Sequence, residues 1–218
     1  MIKSIIFDWD GVLFDSPTVL FQAVCRTLKH FGVETMPEFA DYARFCNPPY
    51  FDFYRRYGCQ ASEHDISSVF NRVFRNEYAR CKLYPVVPLM LKELQARRTT
   101  LVIVSANDGD FIAKRLQEKQ LYHHFRMVCG GYGIKSGIMK EMASSGLIDP
   151  KTTLMVGDAC SDMRCSRDAG IAFRVGLTHG SNNDDALRDA GATRVVEGHH
   201  ELISAIRRGR LAVEIVTA

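Results

Sequence analysis

The chain has 218 residues, with 28 Lys and Arg against 25 Asp and Glu, a formal net charge of +3. That length suits one large domain or a domain with a sizeable insertion, and 46% apolar with 24% charged residues suits a globular chain with a real core. The charge is too small and too dispersed for a nucleic-acid binder, and no apolar run approaches the roughly 18 residues of a membrane helix.

The N-terminal MIKSIIFDWDG turns acidic before a long apolar stretch develops, which argues against a secretory signal. Seven cysteines, an odd number with no CxxC pair, then read as reduced thiols in a cytoplasmic protein. In chain order, short apolar runs predict buried strands at 4–7, 101–104, 127–129, 154–156 and 171–175, with a weaker sixth at 194–196. Helical patterns separate the later strands: one opening at Pro88 and running to about Arg98 over Leu91 and Leu94, one over 110–120, and one over 136–145. The alternation predicts an α/β fold, a doubly wound parallel sheet of Rossmann-like form.

Nearly a hundred residues with little strand character lie between the first two strands. Pro17 stands at a first helical position after the capping types Asp15 and Ser16. Val19, Leu20, Val24, Leu28 and Phe31 follow at helical spacing. Ser62 with Asp65 resembles a capping box, and Ile66, Val69, Phe70, Val73, Phe74, Tyr78 and Cys81 continue as an apolar stripe. The segment between, ARFCNPPYFDFYRRYG, reads as an aromatic loop broken by Pro48 and Pro49. Residues 16–85 are therefore expected to form an inserted helical domain, with 1–15 and 86–218 as the core.

In an open parallel sheet, ligands bind beyond the carboxyl ends of the strands. The first strand ends in Asp8, with Asp10 and Gly11 following; the second ends in Ser105; the fourth ends in Gly157 and Asp158, with Asp162 four residues on; Lys135 lies just past the third. Singly, a strand-end Asp is more often a helix cap and a Lys more often a solvated surface residue; the joint arrangement points to chemistry. Clustered carboxylates need a cation, and oxygen ligands without nearby His or Cys favour Mg²⁺. Lys135 and Ser105 suit phosphoryl oxygens, an Asp can accept a phosphoryl group, and Asp10 is placed to protonate a leaving oxygen and later deprotonate water.

FDWDGVLFDS (7–16), IVSAN (103–107), Lys135 and VGDACSD (156–162) resemble, in order and spacing, the four motifs of the haloacid dehalogenase superfamily. The insertion after the first motif resembles the helical cap of its phosphoglycolate-phosphatase-like branch. The resemblance implies Asp8 as nucleophile and Mg²⁺ ligand, and Asp10 as general acid/base that also offers its backbone carbonyl to the metal. It implies Ser105 and Lys135 as phosphate ligands and Asp158 and Asp162 as metal-site acids. Asp15, the motif's last acid, is expected to cap the first helix. The third motif reads Lys-Ser where the family usually has Lys-Pro, with Lys140 the fallback, and Ala106 replaces a frequent Asn, leaving only a backbone N–H for the phosphate there.

Within such a family, Asp10 argues against dehalogenation, and the absence of Lys between Lys29 and Lys82 argues against Schiff-base phosphonate cleavage. Leu20, where mutase relatives commonly carry His, lowers the mutase reading. The expectation is a Mg²⁺-dependent phosphatase acting on a small phosphorylated metabolite, as a monomer or homodimer. A phosphotransferase or a phospho-accepting regulatory module is the alternative. Arg44 and Asn47 are candidate substrate contacts; Tyr50, Arg55 and Arg56 are weaker ones. The pairs His123–His124 and His199–His200 lie away from the predicted crevice and are not expected to bind metal. The apolar tail 211–218 reads as a packed or frayed terminus.

Overall fold

The computed structural model describes residues 2–46 and 49–208. Six strands, β1 (Ser4–Phe7), β2 (Thr100–Val104), β3 (Met127–Cys129), β4 (Thr153–Gly157), β5 (Phe173–Leu177) and β6 (Arg194–Val196), form one parallel sheet in the order β3-β2-β1-β4-β5-β6. The central strands are apolar without interruption because both faces are covered. Ile5 and Phe7 enter one core cluster and Ile6 the other, as the period of two requires. Each such fully buried side chain contributes about 1.5–3 kcal/mol, so truncating Ile6, which has no exposed surface, opens a cavity in the layer beneath the site.

Helices α5 (Val87–Ala96), α6 (Gly109–Glu118), α7 (Ser136–Ser144), α8 (Cys160–Asp168), α9 (Asp184–Asp189) and α10 (His199–Arg207) pack on the two faces. Before them come α1 (Pro17–His30), α2 (Phe39–Phe45), α3 (Phe51–Arg56) and α4 (Glu63–Tyr78), all between β1 and β2. These four enclose their own apolar cluster around Val24, Leu28, Tyr42, Phe53 and Ile66. Among the described residues, no helix is long and apolar enough to cross a membrane.

Several local expectations shift. The fifth strand runs 173–177 rather than 171–175, because Ile171 is drawn into a hydrogen bond from its N–H to the Ser166 carbonyl at the end of α8. The aromatic segment holds two short helices, α2 and α3, where a loop was expected. Ser62 caps α4 by accepting from the Asp65 N–H, as predicted, but α4 stops at Tyr78, so Cys81 lies beyond it. Pro17 is at the start of α1, yet the helix has no side-chain cap: neither Asp15 nor Ser16 supplies one, and the Ser16 hydroxyl turns instead to Asp10. The apolar tail 211–218 lies outside the described residues.

The two chain segments that join α1–α4 to the sheet pair with one another. Asp15 N–H donates to the Lys82 carbonyl, Tyr84 N–H to the Leu13 carbonyl, and Phe14 bridges Leu83. This paired joint sits one turn from Asp10, so the insertion leaves and re-enters the core beside the predicted site.

Candidate active site

The strand order reverses at β1 and β4, and the predicted residues gather at the carboxyl ends of that pair and of β2. Asp8 follows β1, Asp158 follows β4 and Ser105 follows β2. Lys135 precedes α7, and Asp162 lies in the first turn of α8. Lys135 Nζ is 2.8 Å from Asp8 Oδ1 and 2.6 Å from Asp162 Oδ1. Asp8 Oδ1 also accepts from the Trp9 N–H at 2.7 Å, leaving Oδ2 without a hydrogen-bond partner among the described residues. Asp162 Oδ2 accepts from the Ala159 N–H, so both of its oxygens are used in placing neighbours.

All of these groups are buried; Asp158 is 2% and Lys135 4% exposed. Burial, reinforced by Asp162, holds the Asp8 carboxyl well above its ordinary value despite Lys135. Burial and Asp162 likewise push Asp158 up to about 7. Burial alone would lower the Lys135 ammonium, but Asp162 and Asp8 outweigh it and hold the proton firmly. The cluster is short of positive charge. Asp8, Asp158 and Asp162 each offer one oxygen within 4.8 Å of the others, an all-oxygen set that fits a hard divalent cation.

Backbone economy makes this density possible. A Cβ on Gly11 would fall 2.1 Å from Asp158 Oδ2, and Gly11 adopts φ +69°, where side chains are strained. A Cβ on Gly180 would meet the same carboxylate at 2.3 Å. The loop beyond β5 completes the seat: Ser181 N–H donates to Asp158 Oδ2 at 2.7 Å, and Asn182 Oδ1 accepts from the Cys160 N–H opening α8.

Asp10 stands apart from the ion cluster in a neutral network. Its Oδ1 accepts from the Ser16 and Tyr78 hydroxyls, each at 2.5 Å, and its Oδ2 from the Asn107 amide at 3.0 Å. The Tyr78 hydroxyl in turn accepts from Trp9 Nε1 and from the Asn107 amide. Burial raises the Asp10 carboxyl; the bonds from Ser16, Tyr78 and Asn107 restrain the rise. Ser105 Oγ accepts from the Asn107 N–H at 3.1 Å, which leaves its own proton free to be donated.

A cavity of about 690 Å³ opens between these residues and the inserted helices, with Asp8, Asp10, Ser105, Ala106, Lys135 and Asp158 among its lining. Asp162, fully buried behind Lys135, does not line it. Leu20 and Tyr50 reach it from α1 and the start of α3. Arg44 does not: it is exposed on α2, its guanidinium 5.1 Å from the centre of the Phe45 ring. Asn47 lies outside the described residues. Arg55 donates to the Cys59 carbonyl, and Arg56 lies 3.9 Å over Phe45. His199 Nε2 meets the Val12 carbonyl, and His123 and His124 flank the start of β3, away from the carboxylates.

Sequence reasoning missed Tyr78, Trp9 and the loop 180–182. Tyr78 belongs to an apolar helical stripe, and nothing local marks its hydroxyl as aimed at an acid 68 positions away. The Gly-Ser-Asn-Asn run after a strand end did carry a signal, a turn-forming cluster at the sheet's ligand-binding edge.

The profile of the family described as "Haloacid dehalogenase-like hydrolase" matches residues 5–175. A phosphoglycolate phosphatase of Synechococcus elongatus is 31% identical, over 94% of this chain and 97% of its own. Phosphoglycolate phosphatase 1 of Pseudomonas aeruginosa is 26% identical, over 92% of this chain and 78% of its own. A haloacid dehalogenase-like hydrolase structure from Streptococcus pneumoniae superposes with a TM-score of 0.74 at 22% identity, covering 94% of this chain and 98% of its own, a likeness of fold.

Proposed function

The chain belongs to the haloacid dehalogenase-like hydrolases, and from that membership we propose that it hydrolyses small-molecule phosphate monoesters, dependent on Mg²⁺, through a phosphorylated Asp8. The observation that carries this reading is the pairing of two unlike acids on one turn. Asp8 is ionically held by Lys135, and Asp10 is neutrally held by Tyr78, Asn107 and Ser16.

Asp8 Oδ2, without a hydrogen-bond partner among the described residues, attacks the phosphorus while Lys135 fixes the other oxygen. The ester P–O bond breaks, and Asp10 gives its proton to the departing alkoxide. Burial raises the Asp10 carboxyl, which favours its protonated form. Water then attacks phosphorus, Asp10 takes its proton, the bond to Asp8 breaks and inorganic phosphate leaves. Ser105 donates its hydroxyl hydrogen to a phosphoryl oxygen, and the backbone N–H of Ala106, which lines the cavity, is its second donor. When bound, Mg²⁺ supplies charge neutralisation at the phosphoryl oxygens, with Asp8 and Asp158 as its carboxylate ligands, the Asp10 carbonyl as a further one and Asp162 supporting them. Helices α1–α4, residues 16–85, act as a cap that shields the site from water.

Transfer to a second sugar hydroxyl, the alternative within this family, finds no support in the cavity wall, where Leu20 stands in place of an imidazole. A receiver-like phospho-acceptor role gives no use to Asp10 or to a covered cavity. The seven free thiols support a reducing compartment, the cytoplasm.

The test is hydrolysis of a generic aryl phosphate by wild type, Asp8→Asn and Asp10→Asn, with Mg²⁺ and with chelator. Both variants and the chelated enzyme are expected to lose turnover. Activity surviving in Asp8→Asn refutes the covalent route.

A further inference from the structure

We propose that the alcohol half of the substrate carries an aromatic ring, which lies against a ladder of aromatic side chains running up α4. This deepens the phosphatase reading and rests on it. The cavity above Asp8 and Asp10 measures about 690 Å³, within the range of roughly 300–1,000 Å³ that encloses drug-sized ligands. A two-carbon acid phosphate would occupy a minor part of it.

The wall is built for a ring. Phe70, Phe74 and Tyr78 recur every fourth residue and share one face of α4. Phe70 and Phe74 stack at 5.4 Å between ring centres with 13° between planes, and Phe74 meets Tyr78 at 4.2 Å. Phe111 from α6 closes on Tyr78 at 4.9 Å. Phe70 and Phe74 are only partly buried and line the cavity, so their stripe is not spent on core packing alone. The ladder ends at the Tyr78 hydroxyl that holds Asp10, so a ring lying along it is next to the acid that protonates the leaving oxygen. The described lining offers two cations, Lys135 and Arg75. Lys135 is committed to Asp8 and Asp162, and Arg75 is exposed on α4, where it can meet a polar substituent on the ring. Aromatic faces next to a few polar groups favour planar, partly polar ligands over small acids.

The experiment compares kcat/KM for 2-phenylethyl phosphate and 2-phosphoglycolate. Both release primary alcohols, so intrinsic reactivity does not decide the ratio. Wild type is expected to favour the phenylethyl ester at least tenfold. Phe70→Ala, and Phe70→Leu, which retains bulk and loses the ring, are expected to shrink that preference by about tenfold, the scale of one aromatic stacking contact. Arg75→Ala is expected to shrink it by less than threefold. Preference for 2-phosphoglycolate that depends on Asp8 and collapses in Arg75→Ala overturns the ring site and leaves the phosphatase reading standing. Hydrolysis of neither ester, nor of the generic aryl phosphate, overturns the phosphatase reading. Calorimetry of 2-phenylethyl phosphate with Asp8→Asn then decides the cavity: binding weakened about tenfold by Phe70→Leu supports the ring site, and absence of binding overturns it.

Discussion

Replacing Lys135 by Met tests the electrostatic account of the site most directly. The ammonium is buried and lies within 2.8 Å of both Asp8 and Asp162, with Asp158 in the same cluster. Met keeps the length and removes the charge. Taking one partner out of a buried ion pair leaves uncompensated charge and costs about 3–5 kcal/mol. At about 2–4 °C per kcal/mol for a chain of this size, that is a fall of roughly 6–20 °C in melting temperature. The loss should be greatest at pH 8 without Mg²⁺ and should shrink at pH 5, where Asp8 can take up a proton instead. Mg²⁺ binds the folded site and should raise the melting temperature of the variant by more than that of wild type. The assay is thermal unfolding at both pH values with and without Mg²⁺. A variant melting within about 2 °C of wild type at pH 8 in chelator refutes the claim that Lys135 compensates this cluster.

Asp158→Asn should have the opposite sign. Between the ordinary carboxyl value of 3.8 and about 7, folded Asp158 holds a proton that the unfolded chain has released, so its contribution to stability falls as pH rises. The melting temperature of Asp158→Asn minus that of metal-free wild type should therefore grow from pH 4 to pH 8, and a flat difference counts against the raised carboxyl. Tyr78→Phe strips a hydrogen bond from Asp10 and leaves the Trp9 indole N–H unpaired; about 1–3 kcal/mol of stability and about tenfold in kcat should be lost, read by denaturant melts and steady-state kinetics. Gly11→Ala places a methyl on Asp158 and strains a residue at φ +69°; it should lose at least about 1 kcal/mol and nearly all Mg²⁺-dependent turnover, whereas a fully active variant contradicts the packing.

The sheet was legible because its strands are buried on both faces and so read as bare apolar runs. Even the three-residue β6 falls at the expected 194–196. The ionisable site was legible for a related reason: Asp8, Ser105 and Asp158 sit at strand ends, where local sequence already fixes position, and Lys135 and Asp162 open helices on the same edge. What escaped was whatever depends on contacts between distant elements. Ser16 looks like a helix cap and is taken by Asp10. Tyr78 looks like core and is one of the three side chains that hydrogen-bond Asp10. Phe70 and Phe74 look like a packing stripe, and only the arrangement of α1–α4 leaves part of each on the cavity wall. Periodicity reports that a face is apolar; it does not report what the face meets.

The same packing explains why the fold accepts so unfavourable a cluster. Three buried carboxylates against one ammonium leave two negative charges at the reversal of strand order. Gly11 and Gly180 press the backbone onto Asp158 from two sides, and Gly157 does so on Asp162, so no side chain there can swing away to relieve the repulsion. The remaining relief is a proton or a divalent cation, and one such cation cancels the excess. Only then does the site become neutral enough to admit a phosphate dianion beside Asp8. On this view the raised carboxyls at Asp8 and Asp158 are the stability cost of a site tuned to its ligands, and the Asp10 network is kept apart so that one acid can exchange protons without sharing that charge.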